Sequence, residues 1–271
     1  MRIDAATALY GIIGRPVRHS LSPAMHNAAF EHEGINAVYI AFETDSPGRA
    51  MDAVRTLGIR GLSVTVPNKE TVMAFLDEMD ETARRIGAVN TVKNRKGCIE
   101  GINTDWIGAV KALKEAAALR GKKAVVIGAG GSARAVVFGL VKEGAEVHIV
   151  NRTVEKAGRL AEEFDCSFSG LDGLSAADGD ILINTTSVGM GGLQGLSPVP
   201  DGELGKFSIV MDIVYGSRKT RLLLDAERAG CITIQGTEML LHQAAAQFEY
   251  WTGRKAPLEV MKKALLDSQA G

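Results

Sequence analysis

Three groups of residues in this 271-residue chain have types and spacings that can do chemistry. The first is Gly128, Gly130 and Ala133, spaced G-x-G-x-x-A, with Ala129, Gly131 and Ser132 between them. A glycine at the first position permits a tight turn. One at the second lets main chain approach a pyrophosphate, and a small third residue lets a helix lie close on a sheet. The pattern predicts a dinucleotide site at Gly128, Ala129, Gly130, Gly131 and Ser132. The position that ordinarily holds an acid to bond a ribose 2′-hydroxyl is Asn151, followed by Arg152 and Thr153, with Lys156 one turn on. An acid there would repel a 2′-phosphate. These four residues can instead donate to one, Arg152 through a planar fork. The cofactor expected is NADP(H).

The second group is Ser20 and Ser22, beside a Ser-Pro helix start. Ser22 reads as the N-cap and Pro23 as the first helical residue, while Ser20 lies outside the helix. Two hydroxyls at a helix N-terminus suit an anionic, hydroxylated ligand. The third group is polar residues in apolar settings. Lys69 lies just past a strand ended by Pro67, where open α/β sheets place ligands, although position alone favours an ordinary surface lysine. Asn90 falls inside an apparent strand over 88–92, against the propensity of its side chain. Asp105 reads as the N-cap of a long helix running to Leu119.

The elements that must position these groups alternate. Strands are expected over 9–13, 37–43, 62–66, 88–92 and 98–102, with helices after Ser22, after Ser46-Pro47 and over 78–87. The dinucleotide unit opens with the buried run Ala124 to Ile127. A helix follows whose apolar face is Ala133, Val136, Val137, Leu140 and Val141, then a strand over 145–150. Further strands are expected over 180–184, 209–214 and 230–235, and a helix up to about Phe164. Thr186 and Ser187 could bond the cofactor or merely turn the chain. A Gly- and Pro-rich loop spans 189–200. An amphipathic helix over 237–251 carries Met239, Leu240, Ala244, Phe248 and Trp251 on one side and Gln243 on the other, and a closing helix covers 258–266.

Composition bounds the rest. A net charge of −1 gives no basic field for nucleic acid, and no apolar run approaches a membrane span. Three cysteines, odd in number and far apart, argue for a reducing compartment without disulfides. The five histidines lack metal-ligand spacing, so no metal is expected. A cytoplasmic enzyme fits.

The blocks His19-Ser20-Leu21-Ser22-Pro23, Val64 to Lys69, Gly87 to Thr91 and Asn103 to Asp105 resemble signature blocks of the shikimate dehydrogenase family. Gly128 to Ser132, Asn151 to Thr153, Asn184 to Ser187 and Gln243 to Ala246 match the same family, in the same order, across almost the whole chain. The resemblance implies NADPH-dependent, reversible reduction of 3-dehydroshikimate to shikimate in aromatic amino-acid biosynthesis. It implies Lys69 and Asp105 as the catalytic pair. Ser20, Ser22, Thr65, Lys69, Asn90, Asp105, Tyr215 and Gln243 would bind substrate, and Ile213 and Gly236 would lie near the nicotinamide. Glu81 matches a position associated with cofactor. Asn68 and Trp106 depart from the commonest pattern, at positions that carry no chemistry. The fold implied is two-domain α/β. A Rossmann NADP-binding domain over 105–236 joins a smaller α/β substrate domain over 1–104, completed by C-terminal helices over 237–271. The partner expected is a small-molecule substrate, with homodimer formation open. The alternatives are a shikimate/quinate dehydrogenase of broader specificity, which Asn151-Arg152 argues against, and a non-catalytic NADP-responsive protein, which would need no Lys69.

Overall fold

A computed structural model describes residues 3–200, 202–216 and 218–270. The chain folds as two compact units, Met1–Thr104 with Leu241–Gly271, and Asp105–Leu240, of nearly equal length.

The first unit runs β1 (Ala8–Gly14), α1 (Ser22–His32), β2 (Ala37–Glu43), α2 (Pro47–Leu57), β3 (Gly61–Val64), β4 (Glu78–Met79), α3 (Glu81–Ile86), β5 (Thr91–Arg95) and β6 (Cys98–Ile102). Its sheet has the order β2-β1-β3-β5-β6-β4. β1 is parallel to β2 and β3, because α1 and α2 carry the chain back between them. β5 then runs antiparallel to β3 and β6. The β5–β6 turn needs φ > 0 at both central residues, which Lys96 (55°) and Gly97 (98°) adopt. The core under this sheet includes Ile13, Met51, Val54, Leu62, Val92 and Ile99. At the outer edge, Asn27 of α1 donates to the Tyr39 carbonyl (2.9 Å) and accepts the Tyr39 N–H (2.7 Å).

The second unit runs α4 (Asp105–Lys114), β7 (Lys123–Ile127), α5 (Gly131–Lys142), β8 (Glu146–Val150), α6 (Val154–Phe164), β9 (Ser167–Ser169), β10 (Ile181–Asn184), β11 (Ile209–Asp212), α7 (Arg221–Arg228) and β12 (Ile232–Gln235). Every pairing is parallel, in the order β12-β11-β10-β7-β8-β9. Counted within the unit this is 6-5-4-1-2-3, the nucleotide-binding order, with its reversal between β7 and β10. Ala124 to Ile127 and all of β10 and β11 are buried, as central strands covered on both faces must be. α8 (Gly236–Thr252) begins in this unit and passes into the first, where α9 (Leu258–Ala270) packs on α1. The expected α/β architecture is borne out.

Several local expectations are corrected. Ser22 is the first residue of α1, and the N-cap is Leu21. Ser20 does the capping work instead, its hydroxyl accepting the Ser22 N–H at 3.3 Å. The residues over 88–90 precede β5, so Asn90 is not in a strand. Asp105 is the first residue of α4, not its cap, and that helix ends at Lys114. The single helix expected over 78–87 is the short strand β4 and then α3, because the Asp80 carboxylate accepts the Ala83 N–H (2.8 Å) and starts the helix there. β9 and α7 lie in stretches where no element was expected.

Candidate active site

In the first unit the candidate residues gather where the parallel strands end. Gly14 closes β1, and a Cβ there would strike the Thr65 side chain at 2.3 Å. That glycine lets the end of β1 lie against the segment after β3. The Arg15 N–H donates to the Val66 carbonyl (2.9 Å) and the Thr65 N–H to Ile13 (2.9 Å). The segment that carries Ser20 and leads into α1 at Ser22 therefore leaves the sheet beside the loop carrying Thr65 and Lys69. Ser22 is buried, while Ser20, Thr65 and Lys69 are half-buried. The Lys69 carbonyl accepts the Val89 N–H (2.8 Å), and the Asn90 carbonyl accepts the Val64 N–H (2.7 Å), which seats Asn90 alongside β3.

Asn90 is 2% exposed. Its Oδ1 accepts the Thr104 N–H (2.7 Å) and the Thr91 hydroxyl (2.7 Å). Its Nδ2 donates to the Thr104 hydroxyl (3.0 Å) and to Gln243 Oε1 (3.3 Å). Asn90 and Gln243, 153 residues apart, are thus brought together. Asp105 follows Thr104 in the chain and is buried at the start of α4, where a carboxylate complements the positive helix end. Glu81 stands apart. It is exposed in the first turn of α3, and no hydrogen bond among the described residues joins it to the other candidates.

In the second unit the turn after β7 lies at the sheet's reversal. Gly128 has φ +122°, and a Cβ there would meet Thr185 Oγ1 at 2.3 Å, so only glycine fits. Gly130 differs. Its φ of −96° is open to any residue, and a Cβ there would meet nothing within 4 Å. The protein's own packing does not require that glycine, whereas a ligand approaching the N-terminus of α5 would. Gly130 is the N-cap of α5 and offers no side-chain acceptor there, which suits a bound phosphate group. Ala133 is fully buried, as close packing of helix on sheet demands. These features fit a dinucleotide.

Arg152, Thr153 and Lys156 are exposed after β8. Asn151 is partly used by its own turn, donating to the Thr153 carbonyl (2.9 Å). Thr186 is a turn residue. Its N–H (3.0 Å) and hydroxyl (2.7 Å) both donate to Asn184 Oδ1. Gly236 starts α8 so close to β11 that a Cβ would meet the Ile213 carbonyl oxygen at 2.4 Å. Tyr215 is half-buried just past that strand.

Two groups escaped the sequence reading. Asp212, fully buried at the end of β11, accepts from Asn184 Nδ2 (2.9 Å), the Val214 N–H (3.1 Å) and the Thr220 hydroxyl (2.6 Å). Burial pushes its carboxyl up to about 6, and the three donors only partly oppose this. An acid ending an apolar run was the available signal. His26 is fully buried, stacked on Tyr39 at 4.5 Å and 5.1 Å from the Trp251 ring. Neither ring nitrogen has a hydrogen bond of normal geometry. Burial pushes its pKa down to about 3, opposed weakly by the neighbouring Gln247 side chain, so the ring is neutral.

Comparison with known proteins covers nearly the whole chain. Residues 12–92 match the shikimate dehydrogenase substrate binding domain, 110–189 the shikimate / quinate 5-dehydrogenase family, and 236–266 the shikimate 5′-dehydrogenase C-terminal domain. The chain is 49% identical over 282 residues to a shikimate dehydrogenase (NADP(+)) of Methanopyrus kandleri, covering 98% of this chain and 97% of that protein. It resembles a crystal structure of a shikimate dehydrogenase in complex with NADP+, with a TM-score of 0.90 and 43% identity over 98% of this chain and 97% of that one. A Thermus thermophilus enzyme in complex with NADP(H) and shikimate has a TM-score of 0.88 at 37% identity, over 97% of this chain and 100% of that one.

Proposed function

The chain belongs to the shikimate dehydrogenase family, and on that premise we propose how its own residues carry NADPH-dependent reduction of 3-dehydroshikimate to shikimate. The observation that carries the assignment of roles is where the signature blocks sit. Ser20, Thr65 and Lys69 occupy loops, and Ser22 the first turn of α1, beyond the carboxyl ends of parallel β1 and β3, where ligands of open α/β sheets bind.

NADPH, when bound, supplies the hydride. Gly128 to Ser132 hold its pyrophosphate at the start of α5. Asn151, Arg152, Thr153 and Lys156 take the 2′-phosphate, and Ile213 and Gly236 line the nicotinamide end. Hydride arrival builds negative charge on the ketone oxygen, and Lys69 donates the proton that quenches it. In the reverse direction the same amine takes the proton from the hydroxyl. Asp105 supplies the carboxylate that orients the ammonium and accepts from a substrate hydroxyl. Ser20 and Ser22 bind the substrate carboxylate through their hydroxyls, and Thr65, Asn90, Tyr215 and Gln243 hold the remaining oxygens. Glu81 has less support as a cofactor contact, since its place in α3 already explains an acid there. The enzyme works on small molecules in the cytoplasm, without nucleic acid. No helix of the described residues is long and apolar enough to cross a membrane.

The test follows NADPH and NADH formation with shikimate and quinate. Shikimate with NADP+ is the preferred pair, and a preference for NAD+ or quinate would overturn the specificity proposed. Lys69→Ala lowers kcat about 10²- to 10⁴-fold, the range of general acid–base catalysis, and raises KM far less. Normal turnover in that variant removes Lys69 from the mechanism.

A further inference from the structure

Beneath Asn90 lies a chain of hydrogen bonds whose polarity two backbone groups determine. The Thr104 N–H can only donate, so the Asn90 atom it meets at 2.7 Å is the carbonyl oxygen. The Asn90 main-chain carbonyl can only accept, so the Gln247 atom it meets at 3.2 Å is the amide nitrogen. The other directions follow. Gln247 Nε2 also donates to the Thr91 hydroxyl (3.0 Å), which leaves the Thr91 proton to Asn90 Oδ1 (2.7 Å). Gln247 Oε1 must accept, so Ser63 donates to it (2.8 Å) and receives the Tyr39 hydroxyl proton (2.7 Å). From Tyr39 through Ser63, Gln247, Thr91 and Asn90 to Gln243, each side chain donates to the next.

All six residues are buried, Tyr39 and Thr91 fully so. An amide turned the wrong way in such a setting would put two acceptors or two donors face to face. We propose that Thr91 and Gln247 are positioning residues. They hold the Asn90 amide with its oxygen inward and its NH2 toward Gln243, and thereby hold Gln243 with its own NH2 directed onward. The Asn90 NH2 is thereby committed to Gln243 and to the Thr104 hydroxyl, and Gln243 turns the N–H end of its amide toward the ligand. A donor suits a ligand oxygen in either redox state, because ketone and hydroxyl oxygens both accept. The relay therefore sets substrate affinity in both directions of the reaction without touching the proton transfer. The inference rests on the proposed role of Asn90 in substrate binding.

Thr91→Val keeps the shape of the side chain and removes its hydroxyl. The expected result is a rise of about tenfold in KM for shikimate, with kcat and KM for NADP+ within about twofold, and Thr91→Ser restoring KM. Gln247→Met gives the same pattern and serves if the valine variant does not fold, which circular dichroism decides. Asn90→Ala separates the two layers. If it raises KM for shikimate while Thr91→Val does not, the relay is overturned and the role of Asn90 stands. An unchanged KM in Asn90→Ala overturns both. Parallel losses for shikimate and NADP+ that serine fails to repair reduce Thr91 to a packing residue and overturn the proposal.

Discussion

In the first unit, the hydrogen-bond chain buried beneath Asn90 is built of neutral hydroxyls and amides, and the imidazole of His26, stacked on Tyr39, is neutral too. In the second, the strand ends are tied by a carboxylate, Asp212, which gathers Asn184, Val214 and Thr220. Both clusters fix side chains at the carboxyl ends of strands. They differ in what acid does to them. His26 has an ordinary value of 6.5 and is held near 3 in the fold. Below about 6.5 the unfolded chain takes up the proton that the folded chain refuses, so His26 removes stability as pH falls. Asp212 has an ordinary value of 3.8 and is held near 6. Between those values the folded chain keeps a proton that the unfolded chain has released, so Asp212 removes stability as pH rises. The same mild acidification weakens one unit through His26 and strengthens the other through Asp212.

The largest effect expected comes from His26→Phe, which keeps an aromatic ring among Tyr39, Phe30 and Trp251 and removes the group that titrates. The linkage is on the order of 5 kcal/mol across its full range. The variant loses most of the decline in stability between pH 6.5 and 4. Trp251 fluorescence during urea unfolding in a Trp106→Phe background reads it, since the chain has only these two tryptophans. An unchanged acid response would assign that decline to other groups.

Asp212→Asn comes next. It removes a slope of opposite sign worth about 3 kcal/mol over pH 4 to 6. Amide hydrogen exchange of β10 and β11 should then become nearly independent of pH-linked stability in that window, after correction for intrinsic rates. If the wild-type strands are already flat there, the carboxyl is not held near 6 and the contrast fails.

Thr220→Val is the smallest. It deletes one donor to Asp212 and the acceptor that caps α7 through the Leu223 N–H. The cost is about 1–2 kcal/mol at pH 7, with the Asp212 titration moved further up and Thr220→Ser recovering most of both. Urea midpoints at pH 7 and 5 check it, because the loss should shrink at the lower pH as Asp212 takes its proton.

What could be read from the chain beforehand was whatever is local. Gly128, Gly130 and Ala133 act within one turn and its flanking strand and helix, so spacing alone located the dinucleotide turn. β9 has a single apolar residue, Phe168, and becomes a strand only through its pairing with Ile149 of β8. Asn90 breaks strand propensity in the sequence, yet it precedes the strand. Its real distinction is contact with Thr104 and Gln243, remote in sequence. Gln247 sits one turn from Gln243 between buried Ala244 and Phe248, a polar residue in an apolar stripe. That signal was legible, but its meaning depended on Ser63 and Thr91 arriving from other strands. The charge states of His26 and Asp212 come from burial, which no window of sequence reports.

The Asn27 amide has one more effect. By taking both peptide groups of Tyr39 on the outermost strand, it acts as a two-atom stub of a further strand. A foreign chain seeking to extend the sheet at that place finds its bonding sites already filled. At Tyr39, beside the exposed Ile40, the edge therefore presents a plugged step instead of an open one to an approaching strand.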